Sequence, residues 1–180
     1  MKPYLTYGSF IAISNAVITL VLYLTGLHSD PDKLQTANLV TTVTALCLLI
    51  GFLIVGIRAK RATLPATQDF SYGMALGAAV MISLFAVLFG TVFQFLYQSF
   101  INPGFAEVTI QAQTAKLQAA GVSSDQIDKA TQFMRMMTKP IVTAIVGLFI
   151  GMVFNVIISL IVAAFLKRKA VEQPVTGITP

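Results

Sequence analysis

At 180 residues the chain is long enough for one domain, yet only 11% of it is charged and 56% is hydrophobic. Soluble domains carry about a quarter charged residues, so this composition excludes an ordinary soluble globular protein. One histidine and one cysteine exclude an internal disulfide and leave little to build a metal centre.

Four windows, 7–27, 39–57, 72–101 and 141–166, contain no charged residue. Each approaches or exceeds the roughly 20 apolar residues that a spanning helix needs. The sequence therefore predicts an all-α integral membrane protein with four transmembrane helices in a single domain over residues 1–169. The first window follows Lys2 and resembles a signal peptide. Its apolar run is longer than the usual ~7–15 residue core, and no small-residue cleavage site follows, so it reads as a retained helix.

After the first span, "HSDPDKLQT" reads as an outer loop. His28, Asp30 and Asp32 on this turn read as a solvated helix breaker rather than a cation site. Cys47, inside the second span, reads as core packing. The second span ends in "GIRAKR", and "ATLPATQDFS" is a polar cytoplasmic connection. The third span, 30 residues from Tyr72 to Ile101, is about 45 Å long at 1.5 Å per residue, longer than a ~30 Å hydrocarbon core. Its outer end is expected to tilt or stand proud, with Gln94, Tyr97 and Gln98 at the watery interface.

Pro103 has no backbone N–H and disfavours helix at Asn102, so the span ends there. Asn102, Pro103 and Gly104 fit a type II turn at an outer corner. Residues 104–139 then change character: "GFAEVTIQAQTAKLQAAG" and "SSDQIDKATQFMRMMTK" are amphipathic and too polar to cross. They predict an extracytoplasmic helical hairpin between the third and fourth spans, with Gly121 ending its first helix and Ser123–Gln126 as a capping box. Ile127, Ala130, Met134 and Met137 recur at helical spacing. Ile127, Met134 and Met137 make a candidate partner face, since methionine suits adaptable contacts. Pro140 opens the fourth span, and 170–180 reads as a disordered cytoplasmic tail.

The net charge of +5 is distributed asymmetrically. Lys2, Arg58, Lys60, Arg61, Lys167, Arg168 and Lys169 face only Asp69 and Glu172 on one side, while the positive and negative charges of the other side cancel. Basic clusters abutting span ends are retained in the cytoplasm, which places both termini there and the protein in an inner membrane. Contact with anionic lipid follows; nucleic acid is not an expected partner.

Inside the spans, "GMALG" and "GLFIG" are G-x-x-x-G patterns that allow close helix contact. Gly73, Gly77, Gly147, Gly151 and Ser159 are the predicted helix-packing residues. Counted from the cytoplasmic start of each span, Asn15 lies about 12 Å deep, and Ser83 and Asn155 about 16 Å. A shared layer and the cost of burying an unpaired amide predict an interhelical hydrogen-bonded cluster of Asn15, Ser83 and Asn155. No Asp, Glu, Lys, Arg or His lies within a span, which argues against a proton-coupled transporter. "LTYGSFIA" and "FSYGMALG" form a weak internal echo at the first and third spans.

With "YG" opening the first span, "FSYGMALG" the third and "INPGF" at its outer exit, the chain resembles the bacterial family called domain of unknown function 4199 over nearly its full length. The resemblance implies four spans with a helical segment between the last two. It brings no activity and no catalytic residues. Where that family more often has Asp after the corner proline, this chain has Gly104, which leaves no carboxylate there.

The expected function is a non-enzymatic membrane scaffold or interaction module using the outer hairpin, with no cofactor or metal. Its partners are the bilayer and either further copies or another membrane or envelope protein. The alternative is a small uncoupled channel or facilitator for a neutral solute. An enzyme would have only Asp30, Asp32 and Glu107 at the outer rim to work with.

Overall fold

A computed structural model describes residues 2–170. They form α1 (Lys2–Leu24), α2 (Leu34–Ala62), α3 (Tyr72–Leu96), α4 (Phe105–Ala119), α5 (Ser124–Met137) and α6 (Pro140–Leu166), with a single π-helical turn (Tyr97–Ile101) extending α3. The segments Lys2–Leu24, Leu34–Ala62, Tyr72–Ile101 and Pro140–Leu166 are long and apolar enough to cross a membrane. That is the architecture of a multi-pass membrane protein. The predicted tail beyond residue 170 lies outside the described residues.

Element ends follow local chemistry. Gly26 and Gly121 have positive φ, 77° and 74°, a backbone state that favours glycine. Each sits in the same C-terminal motif: Leu27 N–H bonds Leu22 O and Gly26 N–H bonds Tyr23 O, while Val122 bonds Leu117 O and Gly121 bonds Gln118 O. Ser71 is extended and its Oγ accepts from Met74 N–H at 3.3 Å, capping α3.

Several sequence expectations need correction. The first span begins at Lys2 and stops at Leu24, because Gly26 ends it before Leu27. The second runs from Leu34 to Ala62 and carries Arg58, Lys60 and Arg61 on its last turns; long basic side chains tolerate this by reaching toward the headgroups. At the corner, Gly104 has φ −72° and ψ −12°, not the positive φ of a type II turn. Phe105 N–H bonds Asn102 O, so the chain turns straight into α4. Ser123 has N-cap backbone geometry, but its side chain makes no capping bond. Cys47 is exposed rather than in the core.

α3 is the hub, packing on α1, α2 and α6. Its buried face is made of small residues, Ala75, Ala78, Ala79, Ser83 and Ala86, around Ile82, and small side chains let backbones approach. All but Ser83 join Leu49, Leu53 and Ile57 of α2 and Val162, Ala163 and Leu166 of α6 in one core cluster. At the end of the bundle where α2 ends and α3 begins, Phe70 and Arg168 exchange both backbone bonds (2.8 and 2.9 Å). Arg168 Nη2 also donates to Pro65 O at 3.1 Å. This clasp ties the α2–α3 connection to the chain leaving α6.

α4 and α5 contact one another through a bidentate Arg135–Glu107 pair (3.0 and 3.3 Å) and a Thr114–Thr131 contact of 3.4 Å. Large apolar residues on the outer face of α6, including Phe149, Ile150, Val153, Ile157 and Phe165, are exposed, as a lipid-facing surface requires.

Candidate functional site

The core is tight in one half of the bundle and loose in the other. Within α2 no residue in 38–48 is buried, and within α6 none in 145–158. Between these stretches, α1 and α3 lies a cavity of about 370 Å³. Asn15, Thr42, Thr91, Gln94, Thr143 and Asn155 contribute its polar lining; Ile11, Leu46, Leu49, Val87 and Phe154 are among its apolar walls. No charged side chain lines it.

The polar groups differ in what they already bond. Thr42 Oγ1 donates to Asn38 O at 2.8 Å, and Thr143 Oγ1 to Met137 O at 3.1 Å. Asn15 Nδ2 donates to Ile11 O at 3.0 Å, and its side-chain Oδ1 has no partner among the described residues. The side chains of Gln94 and Asn155 make no hydrogen bond among the described residues.

The predicted three-residue cluster is therefore divided. Ser83 bonds Ser159 instead, Oγ to Oγ at 3.2 Å, with both residues fully buried. Asn15 and Asn155 face the cavity. The reason is helix stagger, which depth counted along each separate span cannot reveal. Gly8 sits against Ile82 and Phe85, and Tyr23 stacks edge-on against Tyr97, so Asn15 falls about two turns beyond Ser83. On α6, Asn155 lies one turn, about 6 Å, past Ser159.

Glycine roles are also redistributed. An added Cβ would lie 2.6 Å from Phe85 Cβ and 2.8 Å from Ile82 O at Gly8, and 2.5 Å from Ile82 Cδ1 at Gly56. These two are the close-packing glycines. Gly77 and Gly147 meet nothing within 4 Å, Gly73 only Ser71 Oγ at 3.9 Å, and Gly151 only Val87 at 3.7 Å. Gly147 and Gly151 instead line the cavity; absent side chains there create its space. Of the predicted packing residues, Ser159 alone is in a tight contact.

A second polar group lies where the sequence expected water. His28 Nδ1 meets Tyr97 Oη at 2.8 Å, and Asn102 Nδ2 donates to the same oxygen at 3.0 Å. All three are buried, with Phe105 packed on both rings. The π-turn explains the geometry: Asn102 N–H bonds Tyr97 O, five residues back, at 2.7 Å, which puts Tyr97 and Asn102 on one face. Gln98 is buried beside them and its Oε1 has no partner among the described residues. Burial holds the His28 imidazole below its ordinary pKa of 6.5. The corner expected at Asn102, Pro103 and Gly104 thus contributes Asn102 to a buried knot, while Pro103 and Gly104 are exposed.

A family model described as protein of unknown function (DUF4199) matches residues 6–168. The chain belongs to that family. No curated protein and no solved structure matches it.

The remaining predicted residues of this DUF4199 member divide as follows. Ile127 is buried, and Met134 and Met137 are half-buried, so the expected partner face is turned largely inward; Phe133 and Met136 are the exposed apolar residues of α5. Among the topology residues, Arg58, Lys167 and Lys169 are exposed and Lys60 half-buried. Arg61 and Arg168 are partly structural, bonding Leu166 O at 3.5 Å and Pro65 O at 3.1 Å. At the rim, Asp30 pairs with Lys33 at 3.0 Å and Glu107 with Arg135. The Lys33 bond holds the Asp30 carboxyl below its usual range.

Proposed function

We propose that this bundle is a non-catalytic facilitator that accommodates a small uncharged solute in the cavity and lets it move without coupling to protons. The observation that carries the reading is a pair of carboxamides, Gln94 and Asn155, lining a cavity between apolar helices without a hydrogen-bond partner among the described residues. In hydrocarbon an unsatisfied amide is costly, so an occupant that bonds these groups lowers the free energy of the site. A charged occupant would meet no counter-charge, and that cost is steep at bilayer depth. The cavity stops above the packed Ser83–Ser159 level, so passage requires the other half of the bundle to open. In this reading the basic clusters keep both termini cytoplasmic at an inner membrane, and the α4–α5 hairpin lies outside.

The test is osmotic swelling of proteoliposomes with glycerol or urea as solute. Wild-type protein is expected to speed swelling saturably, and Asn15→Leu with Asn155→Leu to suppress it. Swelling no faster than in protein-free liposomes sinks the reading.

A second reading rests on Phe133 and Met136, 58% and 51% exposed on α5. It keeps the hairpin as an interaction module for another copy or an envelope protein. Mild-detergent isolation from native membranes, beside a version with residues 107–138 replaced by a flexible linker, tests it: loss of a co-purifying partner from the linker version supports it, and recovery of the same proteins with both forms refutes it.

A further inference from the structure

We propose that the cavity is filled from the bilayer, and that its ligand class is a single-chain uncharged amphiphile with a hydroxyl-bearing head. This rests on the reading of the cavity as a ligand site and narrows it. Three observations carry it. First, the lining residues that are exposed, Thr42 of α2 and Gly147 and Phe154 of α6, lie on the two helices whose facing stretches contain no buried residue. The opening is therefore lateral. Thr42 and Gly147 are eight and seven residues from the starts of α2 and α6, about 10–12 Å along each axis. That is the depth of acyl chains or their upper edge rather than of bulk water.

Second, the wall behind the lip carries amides, whereas the one polar residue of the lip, Thr42, already donates its hydroxyl to Asn38 O. Asn15 on α1 and Thr91 and Gln94 on α3 are half-buried at the back, and Asn155 is half-buried on α6. The lip offers Gly147, whose missing Cβ leaves open space for 4 Å, and the ring of Phe154. A molecule seated here points hydrogen-bonding groups inward and leaves an apolar stem in the gap. Carboxamides and threonine hydroxyls offer both donors and acceptors, which matches hydroxyl groups.

Third, no charged side chain lines the cavity. A phosphate or ammonium head would be drawn from water without compensation. The head is therefore neutral, which excludes ordinary phospholipids, and about 370 Å³ of space suits one chain rather than two, which leaves monoacylglycerols and similar alcohols as the class.

The experiment uses the full chain in phospholipid vesicles containing a monoacylglycerol with a diazirine near its head. Cross-links are mapped by mass spectrometry, and glycerol swelling is measured on the same preparations. Adducts are expected on Leu46, Val87 and Asn155. Asn155→Leu, which leaves the gap open, should lower them about five-fold, the loss of one hydrogen bond. Gly147→Phe should abolish them by filling the cavity. Gly77→Phe, at an open position away from the cavity, should leave them unchanged. Adducts confined to Phe149, Ile150 and Val153 on the outer face, and indifferent to both cavity variants, overturn the proposal. If glycerol swelling is then still fast and suppressed by Asn155→Leu, the facilitator reading stands with access from water. If swelling is also no faster than in empty vesicles, both readings fail.

Discussion

Gly8 is the most exacting test of how the bundle is packed. A Cβ there would lie 2.6 Å from Phe85 Cβ, 2.8 Å from Ile82 O and 3.1 Å from Ala86 N. Ordinary carbon–carbon contact is about 3.5–4.0 Å, so Gly8→Ala must push α1 from α3 by roughly 1 Å. Two of the three neighbours are backbone atoms and the third is a Cβ, so no flexible side-chain tip can move aside. Overpacking of this kind costs about 1–3 kcal/mol, against about 0.8–1 kcal/mol gained from alanine's helix propensity. Gly77→Ala collects that gain alone, because nothing lies within 4 Å of its Cβ. The two variants should therefore differ by about 2–3 kcal/mol at the upper part of that range. Reversible SDS unfolding of purified protein, followed by circular dichroism, measures both. Gly8→Ala unfolding at the same SDS fraction as Gly77→Ala would refute the close α1–α3 contact, and with it the stagger that places Asn15 at the cavity.

Tyr97→Phe removes the oxygen shared by His28 and Asn102 and strands two buried polar groups, so a loss of about 1–3 kcal/mol is expected in the same assay. His28 gives a pH signature. Its folded pKa is lowered from 6.5 by burial, so the unfolded chain takes up the proton first. The contribution of neutral His28 is complete above pH 6.5 and is lost as pH falls through that value toward the folded pKa. Thermal midpoints should drop as pH falls below 6.5, and His28→Gln should remove much of that drop; an unchanged slope counts against a buried neutral imidazole. Ser83→Ala and Ser159→Ala should couple in a double-mutant cycle by about 0.6 kcal/mol and less than about 1.7, whereas Ser83→Ala with Asn155→Leu should be additive. Coupling of the second pair instead would restore the cluster expected from sequence.

Much of this architecture was legible in the chain because its causes are local. Charge-free runs near or above the roughly 20 residues a span needs marked the four long helices, since backbone groups in hydrocarbon must bond within their own segment. Gly121 and Pro140 marked helix boundaries through their own backbone preferences, and the chain folds as those residues demand. Even the amphipathic face of α5 was visible as a period, and Ile127 is indeed its buried residue. The π-turn at Tyr97–Ile101 left no comparable mark. It exists because His28, Asn102 and Phe105 close around Tyr97, and the lone histidine of the chain was the one available hint.

The cavity was legible only as ingredients. Asn15, Asn155, Gly147 and Gly151 stood out by residue type, but type does not say how far one helix slides along the next or which way it turns. A shift of one turn, about 5.4 Å, moves an amide from a neighbour's serine to open space. That shift is decided by contacts between segments far apart in sequence: Gly8 on Phe85, Gly56 on Ile82, Ser159 on Ser83, and Phe70 on Arg168. The sequence by itself determined that four helices are apolar enough to cross a membrane and where the basic residues cluster, because hydropathy and charge act residue by residue. Only the tertiary structure decided which glycines are contacts and which are space, because helix stagger and rotation depend on packing across the whole bundle.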